Sequence, residues 1–158
     1  MALPRSPITL KNQRCSLQTE EYNTLKDNDI VYIVDDNSSM RWVDRKSGIV
    51  PWTQTRDSSA SLTSICAEWG DQGQAIRAIF DGRSPVGTAN MASTLLRLVQ
   101  RYFGDFIYGQ TKALNIVVIS DRAFSEELAN TVAWTVQQQE VFKVPEEHLG
   151  IQFVQVGA

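Results

Sequence analysis

The 158-residue chain is predicted to fold as one α/β domain with three layers, a mostly parallel sheet flanked by helices and a reduced strand count. Two observations carry that prediction. The runs Asp29–Asp35, Leu114–Ile119 and Ile151–Val156 are continuous and β-branched, the signature of strands buried on both faces. The segments between them place apolar residues at helical spacing, and strands alternating with helices require parallel crossovers. A chain that is 42% hydrophobic and 21% charged is globular rather than disordered or coiled-coil, and it contains no repeat or low-complexity tract.

Residues 1–28 are polar, with Pro4 and Pro7 early, and read as a partly disordered leader in which Ile8–Leu10 is a short edge strand. Residues 29–158 form the domain proper. Pro51 is placed to open the first helix, whose apolar stripe is Leu62, Ile65, Cys66 and Trp69 and which stops before Gly70. A short helix follows around Gln74–Phe80. Met91, Leu95, Leu98, Val99, Tyr102 and Phe106 outline an amphipathic helix ending near Gly104, with Tyr102, Phe103 and Phe106 in the core. Ser125 caps the last helix, Glu126 and Glu127 favour its dipole, and Leu128, Val132 and Val136 supply its apolar face before Pro145.

Fifteen Lys and Arg against eighteen Asp and Glu leave a net charge of -3. That balance argues against nucleic acid or an anionic membrane as partner, because the densest basic group, Arg41, Arg45 and Lys46, is interrupted by Asp44 and reads as a solvated loop. No apolar run approaches a membrane span, and the N-terminus lacks the apolar core of a secretory signal. Cys15 and Cys66 form no CxxC pair and no zinc spacing, and read as reduced thiols of a cytoplasmic protein.

The chemistry concentrates at strand ends. In open parallel sheets, ligands bind beyond the carboxyl ends of the strands. The first strand ends in Asp35-Asp36-Asn37-Ser38-Ser39-Met40 and the second in Ser120-Asp121. The loop Ser84-Pro85-Val86-Gly87-Thr88-Ala89-Asn90 leads straight into the Met91 helix. Hydroxyls and carboxylates from several loops suit a hard divalent cation such as magnesium. For Asp35 or Asp121 alone, a turn-capping acid is the simpler reading. Taken with Ser39 and Thr88, a ligand set is favoured. Alternation turns Asp36 away from Asp35. The four tryptophans read as packing residues, Trp42 excepted because it lies beside the site, and His148 reads as a loop residue with no partner.

Asp35-x-Asn37-x-Ser39, Gly87-Thr88 and Asp121, in that order and on those strand ends, resemble the metal-ion-dependent adhesion site of von Willebrand factor type A domains. The resemblance covers roughly residues 29–157. It implies a Mg2+ or Mn2+ ion contacted by Ser39, Thr88 and the Asn37 amide. It also implies charge from Asp35 and Asp121, and a protein partner whose acidic side chain completes the coordination. By family topology the strand at 30–34 lies beside that at 115–119, with 151–156 next. Asn37 stands where the family has serine, and Arg122 where it usually has glycine. The two strands usually inserted after the first helix are missing, as are the last strand and helix, so the chain reads as a shortened form, a fragment or an incomplete gene model. Without those strands, the edge at 30–34 invites self-association unless Ile8–Leu10 covers it.

Two alternatives stand beside this reading. The string VYIVDDN also resembles the opening of a receiver domain of phosphorelay regulators, although Asp57 follows no apolar run and no lysine follows IVVIS. The other is a degenerate type A fragment that binds no metal and serves a structural role. Enzymatic activity is not expected: Asn37 removes the second carboxylate of a haloacid-dehalogenase-like phosphatase, and one histidine supports no nucleophilic triad.

Overall fold

A computed structural model describes residues 28–66, 72–87, 90–109 and 111–157. The leader, including Ile8–Leu10 and Cys15, falls outside the described residues, as do Trp69 and Thr88. Three strands, β1 (Asn28–Val34), β2 (Ala113–Ser120) and β3 (Leu149–Gln155), form one parallel sheet in the order β1-β2-β3. This is the order expected from the family topology. Four helices accompany them: α1 (Pro51–Cys66), α2 (Gln72–Asp81), α3 (Met91–Ile107) and α4 (Glu126–Phe142). The fold is therefore α/β with a reduced strand count, and no described helix is long and apolar enough to cross a membrane.

β2 is central, and the side chains from Ile116 to Ser120 are all buried. On one face of the sheet, Ile33, Leu114, Ile116 and Val118 meet Leu95, Val99 and Phe103 of α3 and Leu128 of α4. Both helices start on side-chain caps: Asn90 accepts from the Ser93 N–H at 2.9 Å, and Ser125 from the Leu128 N–H at 3.2 Å. α3 runs past Gly104 to Ile107, because burial of Tyr102 and Phe103 outweighs the poor helix propensity of one glycine. On α4, Leu128 is inside and Val132 half-buried, but Val136 is 51% exposed and belongs to the solvent face.

The other face is thinner. Met40, Val117, Ile119 and Val156 form its buried centre, with Ile30, Tyr32, Val34, Trp52 and Val154 around them. α1 covers it with an inward row that begins at Pro51 and continues through Thr55, Ser59 and Ala60, all buried. The expected stripe through Leu62 is not that row, and Leu62 is exposed. A helix opened at Pro51 returns to the same face at positions four and eight residues on, which are Thr55 and Ser59. α2 packs on α1 through Trp52 and Phe80, whose ring centroids lie 4.7 Å apart.

His148 is not partnerless. The Tyr102 hydroxyl lies 2.6 Å from its Nδ1 and donates to its backbone carbonyl at 3.0 Å, tying α3 to the start of β3. Burial pushes the Tyr102 phenol above its usual pKa.

Candidate functional site

β1 delivers Asp35 to the end of the sheet, where its N–H donates to the Ile119 carbonyl of β2 at 2.9 Å. Its side chain is 1% exposed, and a buried carboxylate needs donors. Three converge on it. The Asn37 N–H reaches Oδ1 at 2.9 Å, the Asn37 side-chain amide donates to the same oxygen, and the Ser120 hydroxyl donates to Oδ2 at 2.8 Å. Asn37 thus turns its amide nitrogen onto Asp35. This turn leads into a 3-10 segment, Ser38–Arg41, that drives Met40 completely into the thin core. The loop from 35 to 40 is consequently held at both ends, by a charged group and by an apolar plug.

Ser39 lies between those anchors. Its hydroxyl donates to Asp121 Oδ1 at 3.1 Å, joining the ends of two strands across 82 positions of sequence. The Asp121 side chain is only 12% exposed. Ser120, which the sequence marked only as a strand end, ties Asp35 to the turn after β2 by donating to Asp35 and accepting the Arg122 N–H at 3.1 Å. A hydroxyl immediately before an acid at the end of a buried strand was the signal for it.

Arg122 reaches back over this cluster. One guanidinium nitrogen donates to the Ser39 hydroxyl at 3.2 Å, and Nε lies 3.9 Å from Asp121 Oδ1. The side chain remains 57% exposed, so the contact is held at the surface.

The third loop arrives at the same place. Gly87 forms a parallel bridge with Asn37, and its N–H donates to the Asp36 carbonyl at 2.9 Å. A Cβ there would collide with the Asp36 carboxylate, so a larger residue requires that exposed side chain to swing aside. Thr88 lies outside the described residues, and Asn90 caps α3. Asp36 itself is exposed, as alternation predicted. Trp42 is 64% exposed, with the Arg41 guanidinium 5.2 Å from its ring centre.

The structure therefore brings Asp35, Asn37, Ser39 and Asp121 to one point. No group of three His, Cys, Asp or Glu side chains suited to a metal occurs among the described residues, so a cation here would depend on hydroxyl oxygens as well. The donors present, two carboxylates and a serine hydroxyl, are hard oxygens of the kind magnesium and manganese prefer. Asp57 lies within α1, where Arg56 holds its carboxyl below the usual aspartate range, and not at a strand end. Comparison with known proteins brings no match, whether to family models, to curated proteins or to solved structures.

Proposed function

We propose that this domain is a non-enzymatic, cytoplasmic protein-binding module of the type A kind, using the cluster at the ends of β1 and β2 as a divalent-cation adhesion site. The contact between Ser39 and Asp121 carries this reading: a hydroxyl and a carboxylate from distant loops meet beside the buried Asp35. When bound, magnesium or manganese would supply a positive centre that an acidic side chain of the partner can join. Ser39 and Asp121 would contact it, with Thr88 from the adjoining loop. Asp35 orients the 35–40 turn and contributes charge. Asn37 holds Asp35 in place through its two N–H donors.

Arg122 supports a second reading. Its guanidinium already lies on Ser39 and near Asp121 and can act as a fixed cation in place of the metal, pairing directly with the partner's carboxylate. The two readings separate cleanly. A cation that binds only the folded form raises stability by about 2.7 kcal/mol at a hundredfold excess over its dissociation constant. We expect manganese or magnesium to raise the melting temperature of the wild-type chain, Arg122→Gly to enlarge the response, and Asp121→Ala to remove it. A response confined to Arg122→Gly would favour the guanidinium reading. Flat curves for both the wild type and Arg122→Gly at millimolar metal would overturn the cation site.

A further inference from the structure

The loop between the buried Met40 and the buried Pro51 carries an exposed patch of its own. Trp42, Val43 and Ile49 are 64%, 59% and 46% exposed, three large apolar side chains within eight positions. Arg41, Arg45 and Lys46 stand among them, all exposed, and none has an ion pair among the described residues. In sequence, Asp44 interrupts this basic group. In the structure its carboxylate closes the turn, where Oδ2 accepts the Lys46 and Ser47 N–H groups at 3.1 and 2.6 Å. The backbone is closed as well. The Asp44 N–H donates to the Ile49 carbonyl at 2.9 Å, and the Gly48 N–H to the Asp44 carbonyl at 2.8 Å. Gly48 makes the turn at a φ of +70°, and beyond its chain neighbours nothing lies within 4 Å of where its Cβ would be. The tip is thus closed, projecting and basic, on an apolar shoulder.

We infer that the turn at 41–49 seats this domain on an anionic membrane surface. Tryptophan settles at the level of lipid headgroups, where one end of the indole is apolar and the other wet. Val43 and Ile49 gain by leaving water for the acyl boundary, and the three cations meet the negative charge of phosphatidylserine-type headgroups. Exposed apolar residues scattered singly are ordinary, but gathered on one loop and rimmed by charge they mark an interaction site. Because the turn is already closed, docking orders little chain. A lipid surface fits its shape better than an acidic peptide does. Peptides are taken up along a free strand edge or in a groove, and a tip whose backbone is bonded within itself offers neither. The chain as a whole is acidic, at -3, so only a face of the opposite sign can approach an anionic layer. None of the proposed cation ligands takes part, so the two readings fail separately.

Co-sedimentation of the full chain with lipid vesicles, in a chelator that silences the candidate cation site, provides the test. The wild type should bind equimolar phosphatidylcholine and phosphatidylserine, leave pure phosphatidylcholine unbound, and be released by salt. Each basic residue at such a surface is worth about fivefold in binding, so Arg45→Gln/Lys46→Gln should lose about twenty-five-fold. Trp42→Ala/Val43→Ala should lose at least about tenfold. All four positions are exposed, so both variants should keep the wild-type helical circular dichroism. Absent binding by the wild type, or equal binding to pure phosphatidylcholine, would overturn the inference. So would binding that neither variant weakens, which places another surface on the lipid. Loss in the charge variant alone leaves a diffuse attraction with no seated turn, and overturns it too. Soluble polyglutamate that binds the wild type where vesicles do not, with the same losses in both variants, would assign the turn to an acidic protein segment instead.

Discussion

The two faces of the sheet are built by opposite rules. Toward α3 and α4, leucine, isoleucine, valine and phenylalanine interlock in one cluster that includes Leu95, Val99, Ile116, Val118 and Leu128. Toward α1, the buried side chains are Thr55, Ser59 and Ala60, lying over a small centre of Met40, Val117, Ile119 and Val156. The first face is a packed core, and burying its methylenes supplies most of the driving force for folding. The second is shallow and partly polar, and Met40, from the first loop of the candidate site, is buried in it.

Core truncation should expose this contrast most strongly. Leu95→Ala, at a fully buried position on the packed face, should cost roughly 2–5 kcal/mol in denaturant unfolding. The opposite face should behave otherwise. The Thr55 and Ser59 hydroxyls are buried with no hydrogen-bond partner among the described residues. Thr55→Val and Ser59→Ala remove that unsatisfied polarity, so they should be neutral or stabilising by up to about 1 kcal/mol. A loss above that amount in either variant would mean that α1 holds a polar contact, and the contrast between the faces would weaken.

The smallest effect lies outside both cores, where Arg56 of α1 contacts Asp57 at 3.0 Å and Asp81 of α2 at 2.7 Å. The Arg56 hydrogen bond lowers the Asp57 pKa from 3.8, with Arg77 adding a smaller contribution. A depressed carboxyl pKa contributes stability that is present above about pH 4 and lost as pH falls through the folded value. The Asp57 side chain is 47% exposed, so screening keeps the contribution below what melting curves resolve. An NMR titration should instead show Asp57 titrating below the ordinary range, and Arg56→Ala should return it most of the way. An unchanged titration in that variant would assign the shift elsewhere.

The parts of the molecule legible in its sequence are those governed by continuous patterns. The apolar run of β2 announced a buried strand, Ser125 announced the start of α4, and the strand order followed from the type A resemblance. What escaped depends on single contacts between distant positions. The inward row of α1 is made of hydroxyl residues and alanine, which carry no hydropathy signal, so Leu62 was favoured in their place. The Tyr102–His148 pair joins positions 46 apart, and no local pattern marks it. At the site, Asp35, Asn37, Ser39 and Asp121 were readable from their places at strand ends and from the type A resemblance. The direction of the Asn37 amide and the reach of Arg122 were not, because both are set by where the neighbouring strand ends.

The parallel connections also impose an order on assembly. β2 and β3 pair across a single helix, α4, whereas the pairing of β1 with β2 must close a stretch that includes α1, α2 and α3. The bond from Ser120 to Asp35 spans 85 positions. Closing the longer loop costs more chain entropy, and its contacts reward that cost only once both ends are seated. The unit β2–α4–β3 closes the shorter loop, and Ser39 cannot meet Asp121 until β1 has docked. A ligand held between them would therefore require a chain that has finished folding.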